Sequence, residues 1–556
     1  MNAELPFLKE VQCIYRLGVV YESTIINTIV NRRQPHQETK KAGSKMSANI
    51  RSPYKKLLNR TKELIVLSSA QSVIHWDMET MMPPKAVEQR SQQLALLSRI
   101  SHKMSTAPEN GKLLNAILTS PQYDVLGEVE KRNVHLIKKN YDEQTALPEK
   151  LVAELAKQKA ITVATWKKAK KGKNFVVLKP ELEKLVALSK QAAQILMKVK
   201  ETATPYDALL DCYEPKMTAK AISTTFNQLQ QGLTTLLEKI QNSQNQPNIS
   251  ILRIRIPVEK QHKIVHALAH ALDYDINSPA AGGRIDETEH PFTTGYYDDV
   301  RVTTNYHPDN YASSIFSVLH EIGHALYEQN LNPDWKYQPA GAPCSYGIHE
   351  SQSRLYENII GRSKEFWTHM LPKLKQITAP ALANVSLSQF VHAINKVEPS
   401  KIRIEADEVT YNLHVIIRFQ IEKDLFADKI SISALPDTWN QKYEEQLGVK
   451  VENDAEGVMQ DTHWASGFYG YFPTYTLGNI YSGQLFAVLA RDIRDWRRQL
   501  AQGDLENIRV WLTKNVHSYG NLGDPADLIW RIIGKKLDAD PYLEYLWEKY
   551  SGLYGF

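Results

Sequence analysis

The chain has 556 residues, 42% of them hydrophobic and 23% charged, a composition that excludes fibrous, collagen-like and highly charged disordered polypeptides. Lys plus Arg (67) exceeds Asp plus Glu (62) by five, an excess too small and too dispersed to build a nucleic-acid-binding face. No apolar run approaches the ~18 residues of a membrane span, so neither nucleic acid nor membrane is an expected partner.

Cys13, Cys212 and Cys344 show neither a C-x-x-C spacing nor a paired framework, which points to a reduced, cytoplasmic protein. At the amino terminus, "LGVVYESTIINTIV" is interrupted by Glu22 and lacks the basic region and cleavage site of a signal peptide. Residues 32–45 turn polar and basic, and Met46 follows. Residues 1–45 are therefore expected to be a disordered or dispensable extension, with 46–556 as a single domain. Its helical amino-terminal part would cover 46–250 and its site-bearing part 251–556.

Helical periodicity dominates from there on. Amphipathic patterns recur near 54–72, 90–104 and 146–170. In "PELEKLVALSKQAAQILMKVKE", Pro180 suits a first-turn position, and Leu182, Leu185, Val186, Ser189, Ala193 and Leu196 share one face. Further helices are predicted near 221–241, 411–428 and 480–501, with the polar stretch 239–250 as a loop. Strand signals are confined to "ILRIRI" (251–256) and "DVRVTT" (299–304). The expected fold class is mostly α, with a small β-sheet near the middle.

Within the helix predicted over 311–329 lies "HEIGH", residues 320–324. His320 and His324 are four apart, about 400° of rotation and about 6 Å of rise, so both imidazoles share an azimuth and can converge on one ion. Glu321 is displaced by about 100°, beside the ion, where it can deprotonate a water that the metal has acidified. Gly323 costs roughly 1 kcal/mol inside a helix relative to Ala, which points to a close packing contact there. A catalytic zinc needs a third protein ligand. A metzincin would carry Gly at 327 and His at 330, but Tyr327 and Asn330 stand there, which removes that class. The segment 347–361 offers Glu350 and Glu357 as carboxylate ligands. Chemistry favours Glu350 only slightly, because a Glu350–Arg354 ion pair explains that residue equally well.

Several ordered motifs decide further. "HPF" (290–292), "DVRVT" (299–303), "HEIGH" (320–324), "HESQSR" (349–354), "IRIEAD" (402–407) and "GVMQDTHW" (457–464) together resemble the carboxypeptidase Taq family of metallocarboxypeptidases. "WDMETMMPP" (76–84), "YDALLDCYEP" (206–215) and "GYFPTYTLGNI" (470–480) fit as well, so the resemblance covers about residues 52–556. It implies a helical body split by a deep active-site groove, usually as a homodimer. It implies one divalent ion per chain, zinc first and cobalt as the alternative, held by His320, His324 and Glu350, with Glu321 as general base and later proton donor. The implied activity is removal of carboxy-terminal amino acids, broad in side-chain preference and poor next to proline. Tyr356 departs from the Trp usual after "HESQSRL".

An exopeptidase must grip a free carboxylate, for which Arg403 and Arg301 are the candidates, each with neighbouring carboxylates that offer a purely structural alternative. His463 and Tyr475 are candidate donors toward the developing oxyanion. His290 is a candidate groove residue, and Gln460, Asp461 and Trp464 read as supports. Two rival functions remain on these residues: an endo-acting oligopeptidase in the same groove, and a non-catalytic helical peptide-binding protein.

Overall fold

A computed structural model describes residues 49–556 of the protein; the expectation for residues 1–45 falls outside them. Among the described residues, nine α-helices precede the sheet: α1 (Arg51–Thr80), α2 (Val87–Ser105), α3 (Pro108–Leu118), α4 (Glu128–Ala146), α5 (Glu149–Lys171), α6 (Phe175–Lys200), α7 (Pro205–Leu210), α8 (Ala219–Asn242) and α9 (Val258–Ala271). On α6 every residue of the predicted apolar face is buried. The helix nonetheless starts upstream of the expected point. Phe175 and Leu178 join the buried face, and the Asn174 side chain caps the end by accepting from the Val176 N–H at 3.0 Å. Pro180 therefore lies inside the helix, exposed, rather than in its first turn.

The sheet consists of β1 (Gly283–Glu287), β2 (Thr293–Tyr296) and β3 (Asp299–Thr304) in the order β1-β3-β2. β1 runs parallel and β2 antiparallel to β3. The predicted strand over 299–304 is thus present, but 251–256 is not a strand. Residues Ile249–Arg253 form a 3-10 turn capped by the Asn248 side chain, and Pro257 stands four positions beyond it. Its apolar alternation reflects burial on one side without a partner strand.

After the sheet come α10 (Tyr311–Gln329), α11 (Tyr346–Arg354), α12 (Lys364–Thr378), α13 (Leu387–Ile394), α14 (Thr410–Phe426), α15 (Leu435–Leu447) and α16 (Pro473–Asp492), with four shorter helices to the end. A π-helical segment, Leu355–Ile360, continues α11. Ile315, Val318, Leu319, Ile322 and Leu326 of α10 are essentially inaccessible, each contributing about 1.5–3 kcal/mol of gross burial. They belong to a core that runs from Val163 on α5 to Tyr554 near the end of the chain. A smaller core joins α1, α3 and α4. The fold is mostly α with one small sheet, and α10 lies between that sheet and α11.

Candidate metal centre

Two close approaches set the geometry. A Cβ on Gly323 would sit 2.6 Å from the Gln352 carbonyl oxygen and 2.7 Å from the Ser353 Cα, so the absence of a side chain lets α11 lie against α10. On the other side of α11, a Cβ on Gly478 of α16 would sit 2.5 Å from the Glu350 Cγ. α11 is thereby pressed between α10 and α16, with Glu350 directed at the two histidines.

The ligand atoms of His320, His324 and Glu350 all lie within 4.8 Å of one another. Glu350 Oε2 is 3.4 Å from His324 Nε2 and 3.8 Å from His320 Nε2. An ion ~2 Å from each ligand would space them by about 3–3.5 Å, so a small contraction completes the site. The donor set, two imidazole nitrogens and one carboxylate oxygen, suits a divalent ion of borderline softness. The remaining polar atoms are already engaged. Glu350 Oε1 accepts from Arg354 Nε at 2.7 Å, and His320 Nδ1 lies 2.9 Å from Glu357 Oε2. The Glu350–Arg354 ion pair anticipated as a rival to ligation is therefore present and compatible with it, because it uses the other oxygen. Glu357 stands behind His320 rather than among the three converging atoms.

Burial alone would raise the Glu350 carboxyl, but Arg354 and the two histidines outweigh it and hold the group far below the usual carboxylate range. Burial opposes ionisation of Glu357 too, yet Arg354 and His320 bring it down to about 2. Both acids are thus anions at neutral pH. Glu321 is buried, and the Thr293 hydroxyl of β2 donates to its Oε2 at 2.7 Å and contacts its backbone carbonyl oxygen at 2.8 Å.

The other candidates divide into two groups. Arg403 is buried. Its Nε and Nη2 donate to Asp461 Oδ1 at 3.0 and 2.8 Å, and its Nη1 donates to the Tyr411 hydroxyl at 2.9 Å. Its acidic partner is thus Asp461, not the neighbouring Glu405 or Asp407. Tyr411 also lies under the Arg354 guanidinium at 4.4 Å, which links Arg403 to the metal-facing cluster. The Arg403 guanidinium carbon is 5.0 Å from the Tyr475 ring centre, and the Tyr475 hydroxyl is 3.3 Å from His463 Nε2. Arg403, Tyr475 and His463 are therefore brought together.

Arg301 is not part of that group. Val302 is paired with Thr293, whose side chain meets Glu321 of α10, so Arg301, one residue earlier, points to the opposite face of the sheet. There it pairs with Asp299 and lies 4.2 Å from the Trp76 ring centre of α1. Trp76 itself donates to Asp286 on β1, in keeping with an architectural role. His290 is half-buried in the β1–β2 connection, three residues before Thr293. Gln460 and Trp464 are bonded into the frame as supports: Gln460 Oε1 accepts from the Arg403 N–H at 2.9 Å, and Trp464 Nε1 donates to Glu422 at 2.8 Å.

A family model described as "Carboxypeptidase Taq (M32) metallopeptidase" matches residues 56–550. The chain belongs to that family. It is 39% identical over 510 residues to thermostable carboxypeptidase 1 of Thermus thermophilus, covering 90% of this chain and 99% of the relative. It is 38% identical over 501 residues to carboxypeptidase 1 of Bacillus subtilis, covering 90% and 98%. The crystal structure of an M32 carboxypeptidase from Deinococcus radiodurans superposes with a TM-score of 0.87 at 33% identity, covering 91% of this chain and all of that one. The protein is accordingly a metal-dependent carboxypeptidase.

Within this M32 chain, sequence reasoning missed Thr293, Tyr411 and the pair His349 and Glu328. Two of them left a signal: Glu328, four residues after His324 on the same helix, and His349, which opens "HESQSR" directly before Glu350. The Tyr356 departure is harmless: the side chain is buried in the main core and bonds to none of the three converging residues.

Proposed function

We propose that His320, His324 and Glu350 hold the divalent ion, zinc first and cobalt as the alternative, and that Glu321 handles the proton. The observation that carries this reading is the convergence of one atom from each of three side chains, while their remaining polar atoms are engaged elsewhere. When bound, the ion supplies Lewis-acid polarisation of the scissile carbonyl and lowers the pKa of a water. Glu321, with one oxygen fixed by Thr293, takes the water's proton on the other and returns it to the leaving amine.

Arg403 meets the terminal carboxylate of the substrate. It stands in a buried group of two arginines, 403 and 418, around the single carboxylate of Asp461, and that excess of positive charge favours an anion. Arg301, on the far face of the sheet, carries less of this proposal. Tyr475 donates toward the developing oxyanion and His463 orients it. His290 borders the groove along which the peptide enters. The same reading extends to residues 46–556 acting as one catalytic domain, to a cytoplasmic homodimer, and to broad specificity that fails next to proline.

The test uses paired peptides with free and amidated carboxy termini, with metal content measured alongside. Stepwise shortening of the free peptides alone is expected, with metal lost in His324→Ala and Glu350→Ala. Equal internal cleavage of both peptides would replace the carboxypeptidase reading with that of an endo-acting oligopeptidase.

A further inference from the structure

The two histidines of the centre are held differently. His320 Nδ1 faces a carboxylate directly, Glu357 Oε2 at 2.9 Å. His324 Nδ1 instead lies 2.5 Å from Nδ1 of a third histidine, His349, whose Nε2 is 2.9 Å from Glu328 Oε1. Glu328 sits one turn beyond His324 on α10, and His349 reaches in from α11 between them. His349 also directly precedes Glu350, so two consecutive residues of α11 serve the centre from adjacent azimuths. Glu328 is 4% exposed.

Two ring nitrogens this close share one proton, so one donates and the other accepts. Ligation through Nε2 requires His324 to carry its proton on Nδ1, and His349 accepts it there on its own Nδ1 when its proton sits on Nε2, facing the Glu328 carboxylate. The Nε2 lone pair of His324 is then directed toward Glu350. We propose that His349 is a positioning residue that transmits this direction from Glu328 to His324 and so fixes the one tautomer able to bind the ion. It rests on the assignment of His324 as a ligand. The interposed ring has a second effect. It keeps the Glu328 charge one ring-width farther from a centre that already holds Glu350, Glu357 and Glu321, so His324 is oriented without another adjacent anion.

Three variants test the chain, with zinc affinity read by chelator competition and histidine tautomers by nitrogen NMR of the metal-free protein. His349→Phe fills the ring's volume but accepts no hydrogen bond. It is expected to weaken zinc binding by about 10- to 100-fold and to let His324 populate both tautomers. His349→Asn places an acceptor oxygen near the Nδ1 position and is expected to restore most of the affinity. Glu328→Gln lets the chain run in either direction and should fall between the wild type and His349→Phe. His324→Ala separates the two readings: retention of zinc affinity there removes the underlying site. Loss there, with His349→Phe and Glu328→Gln both within about twofold of wild type, overturns the relay alone.

Discussion

The α10–α11 helix pair and the loop 457–472 both carry chemistry-bearing side chains, but they are secured by different means. The helix pair is held by backbone proximity: Gly323 and Gly478 allow α11 to lie pressed between α10 and α16. The loop is held by charge and hydrogen bonds. Asp461 is bonded to Arg403 and Arg418, and Glu422 of α14 accepts from Trp464 Nε1 and the Gly470 N–H, both at 2.8 Å. Close backbone packing thus sets where the proposed ligands stand, whereas buried electrostatics fix the residues proposed to meet substrate. The first arrangement depends on the volume at the two glycines, the second on the ionisation of Asp461.

The sharpest separation within the helix pair is Glu321→Gln. Turnover is expected to fall by about two to four orders of magnitude, with metal content unchanged, since the amide keeps the volume and the Thr293 contact but takes up no proton. Steady-state rates together with metal analysis check this, and near-normal turnover would remove Glu321 from the chemistry. Next is Asp461→Asn, which leaves Arg403 and Arg418 buried without their anion and is expected to cost about 3–5 kcal/mol at neutral pH. The Asp461 carboxyl, though burial opposes ionisation, is held by the two arginines far below its ordinary value of 3.8. Its folded-state value is depressed, so its stabilisation is complete above about pH 3.8 and is lost as pH falls further. Denaturant titrations should show the gap between wild type and variant narrowing on acidification. A gap that stays constant would mean that charge does not hold the loop. The smallest effect is Gly323→Ala, about 1–3 kcal/mol by overpacking against backbone that has no room to move, with weakened metal binding but no change in the acid limb. Unchanged melting and metal affinity would show that α11 is free to shift.

The sequence disclosed these regions unequally. His320, Glu321 and His324 were legible because helical spacing is itself geometry, and Gly323 announced a close contact through its propensity cost. Glu350 needed the ordered downstream motifs, since a third ligand on another helix has no fixed spacing. Thr293, 28 residues from Glu321, and Asp461, 58 residues from Arg403, are tertiary partners that leave no periodic trace. The missed turn at Ile249–Arg253 has a similar cause: alternation records which side is buried, not whether a neighbouring strand is present.

The π-helical segment Leu355–Ile360 bears on how such a centre tolerates change in chain length. A widened turn is what a helix adopts when it accommodates one extra residue while the flanking turns keep their partners. Here it lies immediately after the turn that delivers Glu350, and it contains Glu357, so slack is absorbed between the ligand turn and the remainder of the chain. Deleting one residue from it would restore an ordinary α-helical turn and leave the flanking turns in register, whereas deleting one from the regular turns of α11 would rotate everything downstream by about 100°. The segment works as an expansion joint: an insertion is stored beside the centre, and Glu350 itself stays in register.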